Sequence, residues 1–150
     1  MKIELKNVKV YLGMSEETIA FNASLYVDGK KVGDAKNSGT GGANSIWVGT
    51  KDGKYDSDLV EKMKAEAATH TCLYEGETHK HSLDSYISTL VDKFLEQREL
   101  KKKTLYRKPG YTYEEGEYHV VKRKYDESIK NYLVKTYGEG VEILNEKGGE

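Results

Sequence analysis

Several things are scarce in this chain of 150 residues, and each scarcity removes a class of protein. One cysteine, Cys72, cannot form an intramolecular disulfide, so a disulfide-stapled secreted scaffold is excluded. Charges interrupt every apolar run in MKIELKNVKVYLG, which is not the pattern of a secretion signal. Nowhere does the chain approach the roughly eighteen uninterrupted apolar residues of a membrane span. A cytosolic protein, in the cytoplasm of a host cell and without membrane contact, is expected. Net charge is also missing: the formal value is −1, although 33% of residues are charged. A protein that coats DNA is normally basic and one that imitates its phosphates strongly acidic, so neither fits.

Catalytic motifs are absent as well. There is no G-x-S-x-G nucleophile elbow and no H-E-x-x-H metal helix, and DGKYDSD has its glycine in the wrong place for a calcium loop. Glu114 and Glu115 are adjacent, so in an extended strand they point to opposite faces and cannot share a proton. Cys72 has histidines near it in sequence, but no motif builds a pocket around it as a nucleophile. A non-enzyme is expected, with no cofactor implied.

What the chain does have is tyrosine: twelve Tyr against two Phe and one Trp. A phenol offers a broad apolar face with a polar tip, which suits core edges and recognition surfaces alike.

The patterning predicts a single α+β domain over 1–150. Ile19, Phe21, Ala23, Leu25 and Val27 alternate with polar or small residues, Asp28-Gly29 supplies a tight turn, and 31–36 returns. Upstream, Ile3 and Leu5 are in one phase and Val8 and Val10 in the other, which predicts a bulge near Asn7. The expectation is a three-stranded antiparallel meander over 2–37, packed with two or three helices. Residues 37–58 read as a glycine-rich loop with a brief extended piece at Ile46-Trp47-Val48. A helical part follows over 58–100, with helices capped by Asp58 and by Ser82. Residues 103–145 read as strand, helix and strand: extended pieces near 103–107 and 118–124 about the turn Pro109-Gly110, a helix capped by Asp126 and stopped by Gly138, and a last strand near 141–144. The GGE terminus should fray.

Three stretches suggest binding chemistry. In HTCLYEGETHKH, a two-residue turn at Glu75-Gly76 would pair Cys72 with His79 and His70 with His81 on one face. Cross-strand neighbours lie about 5 Å apart and same-face neighbours about 7 Å apart, so the four could converge on a tetrahedral ion such as zinc. The alternative is a solvated polar connection between helices. In NSGTGGANS, unhindered glycine amides could face a phosphate, yet the sequence lacks the Gly-Lys-Ser/Thr of a phosphate loop and the third glycine of a dinucleotide fingerprint. Residues 98–108, RELKKKTLYRK, carry a local charge of +5. Lys101, Lys102, Lys103, Arg107 and Lys108 interleave with Tyr106, Tyr111 and Tyr113, and Lys122, Arg123 and Lys124 would join them if the two extended segments pair. Cations among stacking rings suit nucleic acid or an acidic protein.

The runs KNVK, SEET, F-x-A-x-LYVDGKKVG and N-x-G-x-GG-x-N, with the closing segment YLVKTYGEGVEILNE, resemble a widespread group of small proteins encoded by bacteria, prophages and phages. The resemblance is strongest over residues 5–44. Members of that group commonly place a histidine or cysteine beside the double glycine, where this chain has Thr40 and Ala43, so no site transfers there. Small phage accessory proteins include many inhibitors of host defence, among them inhibitors of the RNA-guided nuclease of type II CRISPR systems. The resemblance therefore implies an anti-CRISPR-type inhibitor that binds a host protein or ribonucleoprotein complex. A binder that sequesters a signalling nucleotide with the glycine loop and a zinc-stabilised interaction domain are the alternatives.

Overall fold

A computed structural model describes residues 1–114 and 116–147. Glu115 of the adjacent carboxylate pair and the GGE terminus lie outside the described residues. The fold is α+β, with nine strands and three α-helices among the described residues. The chain divides into two compact units, Met1–Cys72 with Thr78–Val91, and Leu73–Glu77 with Asp92–Glu150.

In the first unit, strand β1 (Ile3–Val10) starts the sheet, and Asn7 breaks its alternation. Asn7 takes φ 53°, and the pairing with β2 (Phe21–Val27) slips between Lys6 and Lys9. This is the predicted bulge. Its consequence is directional: Lys6 lies opposite Ser24 and Lys9 opposite Asn22, so both lysines share one face although they are three positions apart. On the opposite face, Phe21, Ala23, Leu25 and Val27 are buried. Asp28 (φ 49°) and Gly29 (φ 82°) make the tight turn into β3 (Lys30–Asn37), as expected of Asp-Gly.

The meander has four strands, not three. The short apolar piece at Ile46-Trp47-Val48 belongs to β4 (Ser45–Val48), which pairs antiparallel with β3 and completes the order β1-β2-β3-β4. Gly33 makes room for it, because a Cβ there would lie 1.7 Å from the Trp47 carbonyl oxygen. Local periodicity could not show this, since four residues after a long loop carry little pattern of their own.

Helix α1 (Ser57–Ala67) begins one residue before the predicted start, and its cap is Asp56, whose Oδ1 accepts from Leu59 N–H at 3.0 Å, rather than Asp58. Its buried face is Val60, Met63 and Ala67. A hairpin of β5 (Thr71–Tyr74) and β6 (Glu77–Lys80) turns at Glu75 (φ 51°) and Gly76 (φ 78°). Helix α2 (Leu83–Leu100) is capped by Ser82, whose Oγ accepts from Ser85 N–H at 3.1 Å, and it buries Leu83, Ile87 and Val91 in its first half.

In the second unit, β7 (Thr104–Arg107) is the central strand of a three-stranded sheet, between β8 (His119–Val121) and β9 (Glu142–Ile143). Helix α3 (Glu127–Tyr137) is capped by Asp126 and ends at Gly138, φ 91°. Ile129 and Leu133 from this helix pack with Tyr106 and Ile143, and Val121, Tyr125, Tyr137 and Val141 close over them. A final 3-10 turn, Leu144–Lys147, follows β9. Asn145 ties it down: its Oδ1 accepts from Leu105 N–H at 2.8 Å and its Nδ2 donates to the carbonyls of Lys103 (2.8 Å) and Leu100 (3.2 Å). Among the described residues no helix is long and apolar enough to cross a membrane.

Candidate interaction surfaces

The histidine hairpin turns where the sequence places it, and His81 N–H donates to the His70 carbonyl at 3.0 Å. The side chains take other partners. His70 stacks on Tyr86 of α2 with centroids 4.8 Å apart, and its Nε2 lies 3.6 Å from Glu66. His81 is buried, meets the same Tyr86 ring edge-on at 5.9 Å, and shares a hydrogen bond of 2.8 Å between Nδ1 and Ser85 Oγ. Tyr86 thus packs against both imidazoles. Burial pushes its phenol pKa up, and the Glu66 charge adds to the effect. Cys72 is half-buried and His79 exposed. Among the described residues no three His, Cys, Asp or Glu side chains are grouped to hold a metal ion, so His70, Cys72, His79 and His81 do not converge as a tetrahedral set.

The glycine loop is turned inward. Gly39 N–H donates to Asn37 Oδ1 at 2.8 Å and Gly41 N–H to Thr18 Oγ1 at 3.3 Å, so these two amides already have protein acceptors and do not form a phosphate cradle. The Gly39 carbonyl accepts from the N–H groups of Glu16, Glu17 and Thr18 at 2.9, 3.1 and 3.4 Å. Asn44 reaches α2, where its N–H donates to Asp84 Oδ1 (2.7 Å) and its Nδ2 to Ser88 Oγ (2.9 Å). The motifs SEET and N-x-G-x-GG-x-N are therefore one structural joint.

The basic segments of the second unit do pair. Thr104 lies opposite Val121 and Tyr106 opposite His119, while Thr104 Oγ1 donates to the Arg123 carbonyl at 3.0 Å. That register brings the end of Lys101–Lys103 beside Lys122–Lys124. Several predicted contact residues are nevertheless occupied internally. Tyr106 is buried in the core, stacked on Tyr137 at 5.4 Å with their hydroxyls 3.3 Å apart, and its pKa is pushed up to about 12 by burial first and by the Tyr137 hydrogen bond second. Tyr113 accepts from Lys108 N–H at 2.8 Å and lies 3.1 Å from His119 Nε2. Arg107 pairs with Glu142 (3.1 Å) and donates to the Glu117 carbonyl (2.8 Å), and Lys103 pairs with Glu99 (2.8 Å). Arg123 lies 4.0 Å from Asp126, and Lys108 sits 5.1 Å above the Tyr137 ring. Lys101, Lys102, Lys122 and Lys124 stay exposed, with no ion-pair partner among the described residues, and Tyr111 is 69% exposed. Alternation alone could not separate these groups, because Tyr106 lies on a strand of four residues and Tyr111 and Tyr113 lie on no strand.

Sequence reasoning did not single out the open face of the first unit's sheet. Register sets Lys9, Asn22, Lys36 and Ser45 in one row across all four strands, and Lys6, Ser24, Asp34 and Trp47 in the next. A groove of about 610 Å³ runs over these rows, with Tyr11 and Trp47 among its lining residues. The alternating polar residues of β2 and β3 were the available signal, but which of them share a row depends on the bulges at Asn7 and between Leu25 and Tyr26. No protein-family model, curated protein or solved structure matches this chain.

Proposed function

We propose that the protein is a non-catalytic binder of a phosphate-bearing host macromolecule, acting through the basic end of its second unit. The observation that carries this reading is the β7–β8 pairing, which sets the exposed ammonium groups of Lys101, Lys102, Lys122 and Lys124 at one end of a small sheet. Neighbouring ammonium groups that hold no carboxylate in an ion pair repel one another, and an anionic partner relieves that repulsion while releasing its own counterions. The resemblance to phage and prophage proteins makes the guide-RNA complex of a type II RNA-guided nuclease the partner class to test first, with inhibition as the outcome.

The test is cleavage of target DNA by a purified type II nuclease–guide complex as the protein is added. Stoichiometric inhibition, weakened by salt and abolished by changing Lys101, Lys102, Lys122 and Lys124 together to Glu in a variant with an unchanged melting curve, supports the reading. Undiminished cleavage across representative type II complexes, with no protection of phage in hosts that carry them, removes it.

A further inference from the structure

The sheet of the first unit covers its hydrophobic core with one face only. Its other face holds a groove whose composition is not that of an idle surface. Trp47, the chain's one tryptophan, is 46% exposed on the edge strand β4 and meets Tyr55, itself 49% exposed, at a centroid distance of 5.6 Å. Tyr11 is 39% exposed on the β1 side and leans over Asn22, its hydroxyl 3.4 Å from Asn22 Nδ2. A large ring left half in water forgoes much of its burial free energy, so two of them at opposite margins of one groove point to something that covers them.

Between the rings the groove is polar and cationic. Lys9 and Lys36 flank Asn22, one strand to either side, which sets them roughly 10 Å apart. Lys6 joins them on the same face because of the Asn7 bulge, and its ammonium sits 4.5 Å over the Tyr26 ring. The carboxylate in the groove, Asp34, already has a partner, with Lys31 Nζ 3.7 Å from its Oδ1, and Glu4 farther along the face lies 3.7 Å from Lys2. The remaining charge in the groove is positive. Ser24, Ser45 and Asn22 add neutral donors and acceptors.

We infer that this face binds single-stranded nucleic acid, with bases stacked on Trp47 and Tyr11 and backbone phosphates held by Lys9 and Lys36. Stacking rings tolerate any base, and ammonium groups on flexible stems track a backbone without demanding one geometry, so binding of modest affinity and little sequence preference follows. An acidic peptide would satisfy the lysines but leave the ring faces without flat partners. A neutral glycan would use the rings and leave the cations uncompensated. Only an anion with flat aromatic groups matches both sets.

Trp47 supplies a local reporter. Its fluorescence is followed as short single-stranded DNA or RNA of mixed sequence is added, in parallel with a polyglutamate peptide and a neutral oligosaccharide. The expected result is quenching by the oligonucleotides. Two phosphates held should give a slope of about −1.4 in log affinity against log salt, and Lys36→Gln should reduce it to about −0.7. Tyr11→Ala should weaken binding about tenfold, the loss of one stacked base. These residues are exposed, and an unchanged melting curve certifies each variant. The variant with Lys101, Lys102, Lys122 and Lys124 changed to Glu, which disables the second-unit surface, should still show the quenching. Quenching by the peptide or the oligosaccharide but not by oligonucleotides overturns the inference. So does oligonucleotide binding that leaves Trp47 unquenched or disappears with the second-unit lysines.

Discussion

Asn37 and Asn44 join their side chains, Asn37 Nδ2 to Asn44 Oδ1 at 3.1 Å, and so close the glycine loop at its two ends. Asn37 is the hub. Its Oδ1 accepts from the Thr18 hydroxyl at 2.7 Å and from Gly39 N–H at 2.8 Å, while Asn44 carries the connection on to Asp84 and Ser88 of α2. One small network thus holds the SEET segment, the end of β3 and the start of β4 to the helix.

Asn37→Ala removes the acceptor for two donors in a partly buried setting. Leaving such groups unpaired costs about 1–3 kcal/mol, more than the roughly 1 kcal/mol of an average net hydrogen bond. Chemical denaturation should show a loss in that range. Asn37→Asp keeps the accepting oxygen but loses the donation to Asn44, so it should fall between. A loss under half a kcal/mol for the alanine variant would mean the network is decorative.

The glycines of the same loop make a sharper contrast. At Gly39 (φ 84°) an added Cβ would sit 2.3 Å from the Met14 carbonyl oxygen and 2.8 Å from Ala20 Cβ. Gly42 has the same φ, 84°, but nothing lies within 4 Å of its Cβ position. Gly42→Ala should therefore lose only the left-handed backbone penalty, about 1–2 kcal/mol, and fold. Gly39→Ala adds a backbone collision to that penalty and should leave the soluble fraction or melt far lower. Equal melting temperatures for the two would refute the contact.

What the sequence made legible was what is decided locally. The caps Ser82 and Asp126, the Asp28-Gly29 turn and the bulge at Asn7 each follow from two or three adjacent residues, and each is present. Strand β4 and the roles of the tyrosines were not legible, because they depend on residues far apart in the chain. β4 exists as a strand because Gly33 admits it, and Tyr106 is core because Tyr137, thirty-one residues on, stacks against it. The candidate contact residues separated on the same ground: Lys101 and Lys122 face water, while Arg107 and Lys103 found carboxylates that their immediate neighbours did not announce.

The histidine hairpin gives a prediction about metal. With His70 engaged by Tyr86 and Glu66, and His81 by Ser85, zinc would have to break those contacts to gather four ligands. Added zinc should leave the melting temperature of chelator-treated protein unchanged, and Cys72→Ala should behave like the parent. A zinc-dependent rise that Cys72→Ala abolishes would show that the hairpin closes on metal after all.

The end of the chain should make the second unit sensitive at both extremes of pH. The Lys147 hydrogen bond, aided by the Arg107 charge and opposed by burial, holds Glu142 below the usual carboxylate range. The Tyr125 hydroxyl, 2.5 Å from Glu146 Oε1, together with Lys130, holds Glu146 below it too. A carboxylate whose pKa is depressed by folding contributes stability that is present above its unfolded pKa, about 4.3, and lost as pH falls through the folded value. Tyr125 works in the opposite sense. Burial first and the Glu146 hydrogen bond second push its pKa up to about 12, so its contribution is present below the unfolded value of about 10 and lost as pH rises through 12. Denaturation midpoints measured across pH should fall on both sides. Glu142→Gln should lower the neutral plateau and flatten the acid limb only. Tyr125→Phe should flatten the alkaline limb and part of the acid one, because Glu146 then loses its largest stabilising partner. An acid limb that Glu142→Gln leaves untouched would place the titrating group elsewhere.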